Sequence, residues 1–218
     1  MIKAVLFDLD GTLCNTLQDL ADAANYALGT FGFPTHETEK YRYFVGRGMP
    51  NLIKSILPEN SRDKDTLSRV LSCFLEYYAA HYADNTASYD GIDELLKELK
   101  DRGIKIAVVT NKAQQPAENV VNKLYPEGFF DAVVGQTPDM PVKPDPAMAL
   151  FAAEKIGAEI HECLFVGDSG SDCETGVRAG AVPVGVLWGF RERDELTSGG
   201  ASYIIEKPSE LLGLLEKI

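Results

Sequence analysis

The chain has 218 residues, of which 45% are hydrophobic and 25% are charged, and this composition is typical of a folded globular protein. The formal net charge of −12 makes the surface repel nucleic-acid phosphates and anionic lipids, so we expect neither nucleic acid nor a membrane as a partner. No run of about eighteen apolar residues occurs, and the apolar start is too short for a secretory signal, so we expect a cytoplasmic protein without a membrane span.

The first predicted element is a buried strand over residues 3–7, which ends directly before the sequence Asp8-Leu9-Asp10-Gly11-Thr12. Apolar residues at helical spacing then predict helices over residues 17–31, 36–43, 49–57 and 62–82. Thr16 is a candidate N-cap for the first of these helices. Because no strand pattern interrupts this stretch, we predict a helical domain, residues 14–85, inserted after the first strand. We interpret the apolar stripe of its last helix as packing: Leu67, Val70, Leu71, Phe74, Leu75 and Tyr78.

Strand and helix patterns alternate in the rest of the chain. The predicted strands cover residues 104–109, 131–134, 163–166, 183–187 and 203–205. The predicted helices cover residues 92–102, 117–124, 146–156, 172–179 and 209–217. Short apolar strands that alternate with helices pair in parallel, so we predict an α/β fold with a doubly wound parallel sheet. We expect residues 1–13 and 86–218 to form this domain.

Polar residues follow the predicted strands in a consistent way. Ligands bind beyond the carboxyl ends of the strands in open α/β sheets, so residues at those ends are candidates for a site. The candidates, in chain order, are Asp8 and Asp10, Thr110 and Asn111, Lys143 in the loop before a helix, and Asp168 and Asp172. We expect these side chains to converge on one edge of the sheet.

The clustered carboxylates predict a metal site. Carboxylates repel one another unless a hard cation neutralises them, and Mg²⁺ suits oxygen ligands, as does manganese. Asp8 and Asp168 are predicted to supply side-chain oxygens, and Asp10 its backbone carbonyl. Strand alternation would turn the Asp10 carboxyl group the other way and leave it available for proton transfer. The four cysteines form no CxxC pair, so we predict reduced thiols rather than a zinc site.

The same residues predict phosphoryl transfer. A carboxylate such as Asp8 can attack phosphorus and form an aspartyl-phosphate, which splits the reaction into two steps. Such a reaction depends on charge neutralisation. Lys143, Thr110 and the backbone N–H groups around Leu9, Asp10 and Asn111 can supply this neutralisation.

Each of these signals also has a structural explanation. Asp10-Gly11 is a common turn sequence, and Lys143 before Pro144 resembles a solvated loop lysine. Ser169 or Ser171 can serve as a helix N-cap. Catalysis is favoured because all of the signals fall at strand ends or in the loops beyond them.

These four groups of residues resemble the four motifs of the haloacid dehalogenase-like hydrolase superfamily. The motifs are Asp8-Leu9-Asp10-Gly11-Thr12-Leu13, Thr110-Asn111, Lys143-Pro144, and Gly167-Asp168-Ser169-Gly170-Ser171-Asp172. The resemblance covers the whole chain, including a cap domain over residues 14–85 beside a Rossmann-like hydrolase core. Within the superfamily, residues 44–48 and 185–191 are similar to the corresponding regions of phosphoglycolate phosphatases.

The resemblance implies a role for each motif residue. Asp8 is the expected nucleophile, and Asp10 is the expected acid and base. Thr110 and Lys143 are expected to hold the phosphoryl group. Asp168 is expected to bind Mg²⁺, with Asp172 and Ser169 supporting that site.

The expected substrate is a small phosphorylated metabolite, with 2-phosphoglycolate as the first candidate. A pyrophosphatase, or a sugar-phosphate phosphatase or mutase of the same superfamily, remains an alternative. Arg47 and Gly48 in the helical domain are candidate substrate-binding residues. Arg47 is a candidate partner for a substrate carboxylate, or else a solvated arginine in a glycine turn. We expect a monomer or a homodimer.

Two alternatives that are not enzymes remain. A phospho-receiver domain also combines an acid cluster, magnesium, a threonine and a lysine on a doubly wound sheet. It has no helical insert, however, and its acid pair and its phospho-acceptor lie on different strands, whereas Asp8 and Asp10 share one strand end. An inactive relative that acts as a binding protein is the other alternative.

Overall fold

The computed structural model describes all residues, 1–218, and the chain divides into two compact units. Met1–Asn15 and Ser88–Ile218 form the core unit, and Thr16–Ala87 form the helical unit. Each boundary lies two residues further along the chain than the sequence indicated. No helix has the combination of length and apolar side chains that a transmembrane segment requires.

The regular elements occur in the following order. The strands are β1 (Ala4–Phe7), β2 (Cys14–Asn15), β3 (Ala87–Ser88), β4 (Lys105–Ala113), β5 (Ala132–Gln136), β6 (Cys163–Gly167), β7 (Val182–Val186) and β8 (Tyr203–Ile205). The helices are α1 (Leu17–Thr30), α2 (Tyr41–Phe44), α3 (Met49–Ile56), α4 (Lys64–His81), α5 (Ile92–Asp101), α6 (Gln114–Leu124), α7 (Ala147–Ile156), α8 (Gly170–Ala179), α9 (Arg193–Ser198) and α10 (Glu210–Leu215).

Six strands of the core unit form one parallel sheet in the order β5-β4-β1-β6-β7-β8. The chain leaves β1 towards β4 and β5 and then returns to β6 on the other side of β1. The strand order therefore reverses at β1, which makes the carboxyl end of β1 the topological switch point. The predicted α/β fold with a doubly wound parallel sheet is confirmed.

The core against α7 shows why these segments form strands. Alternate residues within β1, β4, β5 and β6 are buried in one apolar cluster: Ala4, Leu6, Ala107, Val109, Ala132, Val134, Cys163 and Phe165. Helix α7 contributes residues at helical spacing: Met148, Ala149, Ala152, Ala153 and Ile156. The two periodicities, two for strands and 3.6 for helices, bring both apolar faces into one core.

In the helical unit, α1 and α4 pack against each other. Helix α4 buries Val70, Phe74 and Tyr78, whereas Leu75, predicted as part of the same stripe, is 41% exposed. The helix begins after Asp63, later than predicted, because the Asp63 carboxylate accepts hydrogen bonds from the backbone and hydroxyl of Thr66.

Strand β4 and helix α9 differ from the prediction, and the predicted N-cap residue Thr16 lacks a capping hydrogen bond. Strand β4 continues to Ala113 instead of ending at residue 109. Helix α9 was not predicted, because a helix of six residues with only Leu196 buried has no recognisable periodicity. Thr16 precedes α1 as its N-cap residue, but its side chain makes no capping hydrogen bond.

Candidate active site

The predicted site residues of the core unit lie at the carboxyl ends of its three central strands. Asp8 follows β1 directly, Thr110 lies near the end of β4, and Asp168 follows β6. All three residues are buried. Because β4 and β6 flank β1, these residues share the topological switch point of the sheet, where α/β proteins bind ligands.

Three carboxylates form the centre of the site. One oxygen from each of Asp8, Asp168 and Asp172 lies within 4.8 Å of the other two. Burial raises the pKa of Asp8 to about 6, against the opposing effect of the Lys143 ammonium group. Burial, together with the Asp172 and Asp8 carboxylates, raises the pKa of Asp168 to about 8. The cluster therefore favours either a proton or a cation between its carboxylates.

The donor set fits a hard divalent cation. All three ligand groups are carboxylates, the donors that such ions prefer. Asp8 Oδ1 is buried and accepts no hydrogen bond, so a metal ion would satisfy it. An ion here would also favour the ionised form of Asp168. The predicted use of the Asp10 backbone carbonyl as a further ligand stays a prediction.

Lys143 supplies the positive charge beside the cluster. Its Nζ lies 2.6 Å from Asp172 Oδ1 and 2.8 Å from Asp8 Oδ1, and it also donates to the Val109 carbonyl at 3.2 Å. The contact with Asp8 is an ion pair without hydrogen-bond alignment. Burial by itself would lower the pKa of Lys143, but the Asp172 and Asp8 carboxylates outweigh it and raise that pKa. Lys143 therefore stays charged beside Asp8.

The Asn111 side chain fixes the backbone of Lys143. The Lys143 N–H group donates to Asn111 Oδ1 at 2.7 Å, and Asn111 Nδ2 donates to the Lys143 carbonyl at 3.3 Å. This reciprocal pair joins the end of β4 to the loop before α7 and sets the direction from which Lys143 enters the site. A contact between the Asn111 backbone and phosphate stays a prediction.

Asp168 is held by two loops. Thr12 donates its hydroxyl to Asp168 Oδ1 at 3.0 Å, and the backbone N–H of Phe190 donates to Asp168 Oδ2 at 2.7 Å. A Cβ atom at Gly11 would lie 2.4 Å from Asp168 Oδ2, and one at Gly189 would lie 2.2 Å from Asp168 Cβ. Only glycine lets both loops approach the carboxylate this closely.

Asp172 links the cluster to helix α8. Ser169 is the N-cap residue of α8, and its backbone N–H and hydroxyl both donate to Asp172 Oδ2, at 3.0 and 2.6 Å. The other oxygen, Asp172 Oδ1, faces Lys143. Ser169 therefore orients Asp172, and the structure places Asp172 among the three clustered carboxylates.

Asp10 faces a second lysine. Lys112 Nζ lies 3.0 Å from both Asp10 Oδ1 and Asp10 Oδ2. The Lys112 side chain is fully buried, and the Asp10 side chain is 11% exposed. The two aspartates that follow β1 thus have different cationic partners, because Lys143 pairs with Asp8.

Comparison with known proteins identifies the family. A family model described as "Haloacid dehalogenase-like hydrolase" matches residues 5–186. The chain belongs to this family. It is 31% identical over 219 residues to a phosphoglycolate phosphatase of Aquifex aeolicus, covering 99% of this chain and 97% of that protein. It is 32% identical over 220 residues to a putative pyrophosphatase PpaX of Clostridium perfringens, covering 100% and 99%.

Solved structures of haloacid dehalogenase-like proteins share the fold. The structure of a putative phosphoglycolate phosphatase from Lactobacillus delbrueckii subsp. bulgaricus superposes with a TM-score of 0.90 at 30% identity, covering 96% of each chain. A predicted phosphoglycolate phosphatase from Haemophilus somnus superposes with a TM-score of 0.89 at 26% identity, covering 98% of each chain. The predicted family and the predicted enzyme class are confirmed, and the receiver and binding-protein alternatives are set aside.

Three further residues were predicted to bind substrate: Leu9, Arg47 and Gly48. The Leu9 carbonyl accepts the N–H groups of Thr12, Leu13 and Cys14, which folds the loop after β1 tightly. Gly48, with φ of +80°, precedes α3 in the helical unit, and Arg47 beside it is exposed. Their predicted roles in substrate binding stay predictions.

Three features of this haloacid dehalogenase-like site were not predicted. Lys112 was missed because β4 was expected to end at residue 109, which put Lys112 in a solvated loop. The loop that contains Gly189 and Phe190 was noticed only for its resemblance to relatives. Trp188 Nε1 donates to the Thr12 carbonyl at 2.9 Å, a contact across 176 residues that no local pattern indicates.

Proposed function

We propose that this protein is a magnesium-dependent phosphomonoester hydrolase that forms an aspartyl-phosphate on Asp8. One observation carries the proposal: the buried Asp8 carboxylate lies 2.8 Å from the Lys143 ammonium group and clusters with the carboxylates of Asp168 and Asp172. A nucleophile in such a place is beside both a fixed cation and a site for a metal. Relatives named as phosphatases over nearly the whole chain support the same chemistry.

The first step transfers the phosphoryl group to the protein. An Asp8 oxygen forms a bond to phosphorus, and the bond from phosphorus to the ester oxygen breaks, so that its electron pair leaves with that oxygen. The protonated Asp10 carboxyl group gives its proton to the leaving oxygen, which departs as an alcohol. Lys143 and Thr110 hold the phosphoryl oxygens during this transfer.

The second step regenerates the enzyme. Asp10, now a carboxylate, takes a proton from a water molecule as the water oxygen attacks phosphorus. The bond between phosphorus and Asp8 breaks, and phosphate leaves. Asp10 is thereby protonated again and ready for the next substrate.

Asp8, Asp168 and Asp172, with the Asp10 backbone carbonyl, are the proposed residues of the magnesium site. When bound, Mg²⁺ neutralises charge on the phosphoryl oxygens and orients them towards Asp8. Lys143, which is paired with Asp8 and Asp172, adds a second positive charge beside the phosphoryl group. This local positive charge overcomes the repulsion between an anionic substrate and a chain of net charge −12.

The proposed substrate is a small phosphorylated metabolite, with 2-phosphoglycolate first. Its support is the group of relatives named phosphoglycolate phosphatase, which cover nearly the whole chain. Relatives named pyrophosphatase PpaX match the chain equally well and make pyrophosphate the second candidate. The cytoplasm as location, and a monomer or homodimer as the oligomeric state, complete the proposal.

The test is phosphate release from 2-phosphoglycolate, pyrophosphate, a hexose phosphate and a nucleotide, each with and without Mg²⁺. Asp8→Asn is the diagnostic variant, because it keeps the size of the side chain and removes the nucleophile. We expect turnover that requires Mg²⁺ and falls at least about 100-fold in the variant. Turnover that survives in Asp8→Asn would refute the aspartyl-phosphate, and the best substrate decides between the two substrate candidates.

A second experiment tests Arg47. If Arg47 binds a substrate carboxylate, Arg47→Ala raises KM for 2-phosphoglycolate about tenfold or more and leaves KM for ethyl phosphate, which has no carboxylate, within about twofold. Lys54→Ala removes another exposed cation of the same helical unit and serves as the control. Equal changes for both esters contradict the proposed role.

A further inference from the structure

Lys112 is a buried lysine that the motifs of the site do not include. Its side chain is fully buried, and its Nζ lies 3.0 Å from each carboxylate oxygen of Asp10. An ammonium group without water is unfavourable unless it is paired, and an apolar side chain of similar volume can be as good for stability. The ion pair is therefore better explained by what it does to Asp10 than by its effect on the free energy of unfolding.

Asp10 is not one of the three clustered carboxylates. Asp8 and Asp10 are two residues apart in one loop, yet the clustered carboxylates are those of Asp8, Asp168 and Asp172. The acids pair with two different lysines: Lys143 pairs with Asp8 and Asp172, and Lys112 pairs with Asp10. A carboxylate that accepts hydrogen bonds on both oxygens is held in one orientation, and its oxygens still have lone pairs that can take up a proton.

The end of β4 fixes the position of Lys112. The pairing of β4 with β5 changes register between Val109 and Ala113, so Lys112 lies where the two strands diverge. The Gln114 side chain closes this gap by accepting the Gly135 N–H at 2.6 Å and donating to the Val133 carbonyl at 3.0 Å. These bonds hold the segment on the C-terminal side of Lys112 against β5.

Gly135 allows this close approach. A Cβ atom at Gly135 would lie 2.6 Å from Gln114 Cα and 2.9 Å from the Lys112 carbonyl oxygen. Both neighbours are backbone atoms, which cannot rotate away. A side chain at this position would therefore displace the segment that contains Lys112.

We propose that Lys112 is a positioning residue that holds the Asp10 carboxyl group in the direction needed for proton transfer. The inference rests on the proposed function, in which Asp10 gives a proton to the leaving oxygen and later takes one from water. In this proposal Lys112 acts through Asp10.

The test compares Lys112→Met with Asp10→Asn and with the double variant. Lys112→Met keeps an unbranched stem and removes the charge, and Lys105→Met, an exposed lysine on the same strand, is the control. On 2-phosphoglycolate, or on the best ester of the panel, we expect Lys112→Met to lower kcat about tenfold or more with KM within about threefold. Because Lys112 acts through Asp10, Lys112→Met is expected to have no further effect in Asp10→Asn.

A pre-steady-state measurement separates positioning from a general loss of structure. The leaving group of p-nitrophenyl phosphate departs without a proton, so the first step needs little from Asp10, whereas the second step still requires Asp10 as a base. Lys112→Met is expected to release about one nitrophenolate per active site in a fast burst and then to turn over about tenfold more slowly than the unchanged enzyme. Damage to the whole site would lower the burst amplitude as well.

Different failures have different meanings. If the unchanged enzyme shows no turnover that depends on Asp8, the proposed function fails and not merely the role of Lys112. If the unchanged enzyme is active and Lys112→Met keeps its kcat, or if Lys112→Met and Asp10→Asn have additive effects, the positioning role is wrong. Should Lys112→Met not fold, Gly135→Ala displaces the same segment without removing a charge, and the same loss of kcat is expected.

Discussion

The backbone N–H of Phe190 donates a 2.7 Å hydrogen bond to Asp168 Oδ2, although the two residues belong to different loops. Asp168 follows β6, and Phe190 lies after β7, the next strand in the sheet. The bond lowers the pKa of Asp168 against the larger effect of burial, which raises it. The loop after β7 therefore helps to keep a proposed metal ligand in its orientation.

Gly189→Ala tests this relationship. The added Cβ would lie 2.2 Å from Asp168 Cβ and 2.3 Å from the Gly11 carbonyl, so the loop must move away. We expect the free energy of unfolding to fall by about 1–3 kcal/mol and the metal affinity to weaken, as measured by denaturant titration and calorimetry.

Gly213→Ala is the matched control, because Gly213 lies within α10 and has no atom within 4 Å of the added Cβ. In a helix this change is expected to stabilise by about 0.5–1 kcal/mol. A Gly189→Ala protein that binds metal as tightly as Gly213→Ala would contradict the role assigned to the loop.

Trp188 is the only tryptophan of the chain, and its Nε1 donates to the carbonyl of Thr12, whose hydroxyl contacts Asp168. We expect Mg²⁺ to change the intrinsic fluorescence of the protein, because a cation at Asp168 alters the field and the packing at this indole. The change should saturate with metal and disappear in Asp168→Asn. A titration that proceeds normally in Asp168→Asn would place the metal elsewhere.

The raised pKa values predict that metal stabilises the protein more as the pH rises. Raised values favour the protonated acids in the folded state, so their contribution to stability is lost as the pH rises through about 6 for Asp8 and about 8 for Asp168. A metal ion binds the ionised acids and offsets this loss, adding about 2.7 kcal/mol at a concentration of about 100 times Kd.

We therefore expect Mg²⁺ to raise Tm more at about pH 8.5 than at about pH 5.5, as measured by thermal unfolding at both values. Asp168→Asn removes the group with the higher pKa and should reduce the difference between the two conditions. A metal effect independent of pH would show that the acids are already ionised without metal.

Asp19→Asn is expected to destabilise the helical unit. The buried Asp19 carboxylate accepts the backbone N–H groups of Asn85 and Thr86, the Asn85 amide and the Thr86 hydroxyl, at 2.6–3.1 Å. Asparagine replaces one acceptor oxygen with a donor that faces other donors, which should cost about 1–3 kcal/mol of unfolding free energy.

Asp22→Asn on the same helix is the control, because Asp22 is exposed and accepts a hydrogen bond from the exposed side chain of Gln18. Its effect should stay within about 0.5 kcal/mol in chemical denaturation. Equal stability of the two variants would show that the Asp19 network contributes little.

The sequence by itself determined the class of fold and which acidic side chains follow the central strands of the sheet. Apolar runs of five or fewer residues that alternate with amphipathic helices are buried as the strands of a parallel sheet. In such a sheet the acids after β1 and β6 lie at the same edge. Asp8, Thr110 and Asp168 were predictable for this reason. The helical unit was predictable as well, because helical periodicity extends from Leu17 to His81 without a strand pattern.

Only the tertiary structure decided how the acids are divided between partners. Lys112 and Lys143 are 31 residues apart and look alike in sequence, yet one faces Asp10 and the other faces Asp8 and Asp172. The register change after Val109 and the space left by Gly135 decide the first pairing, and the Asn111 side chain decides the second. These contacts join segments that are distant along the chain, so local periodicity and turn propensity contain no information about them.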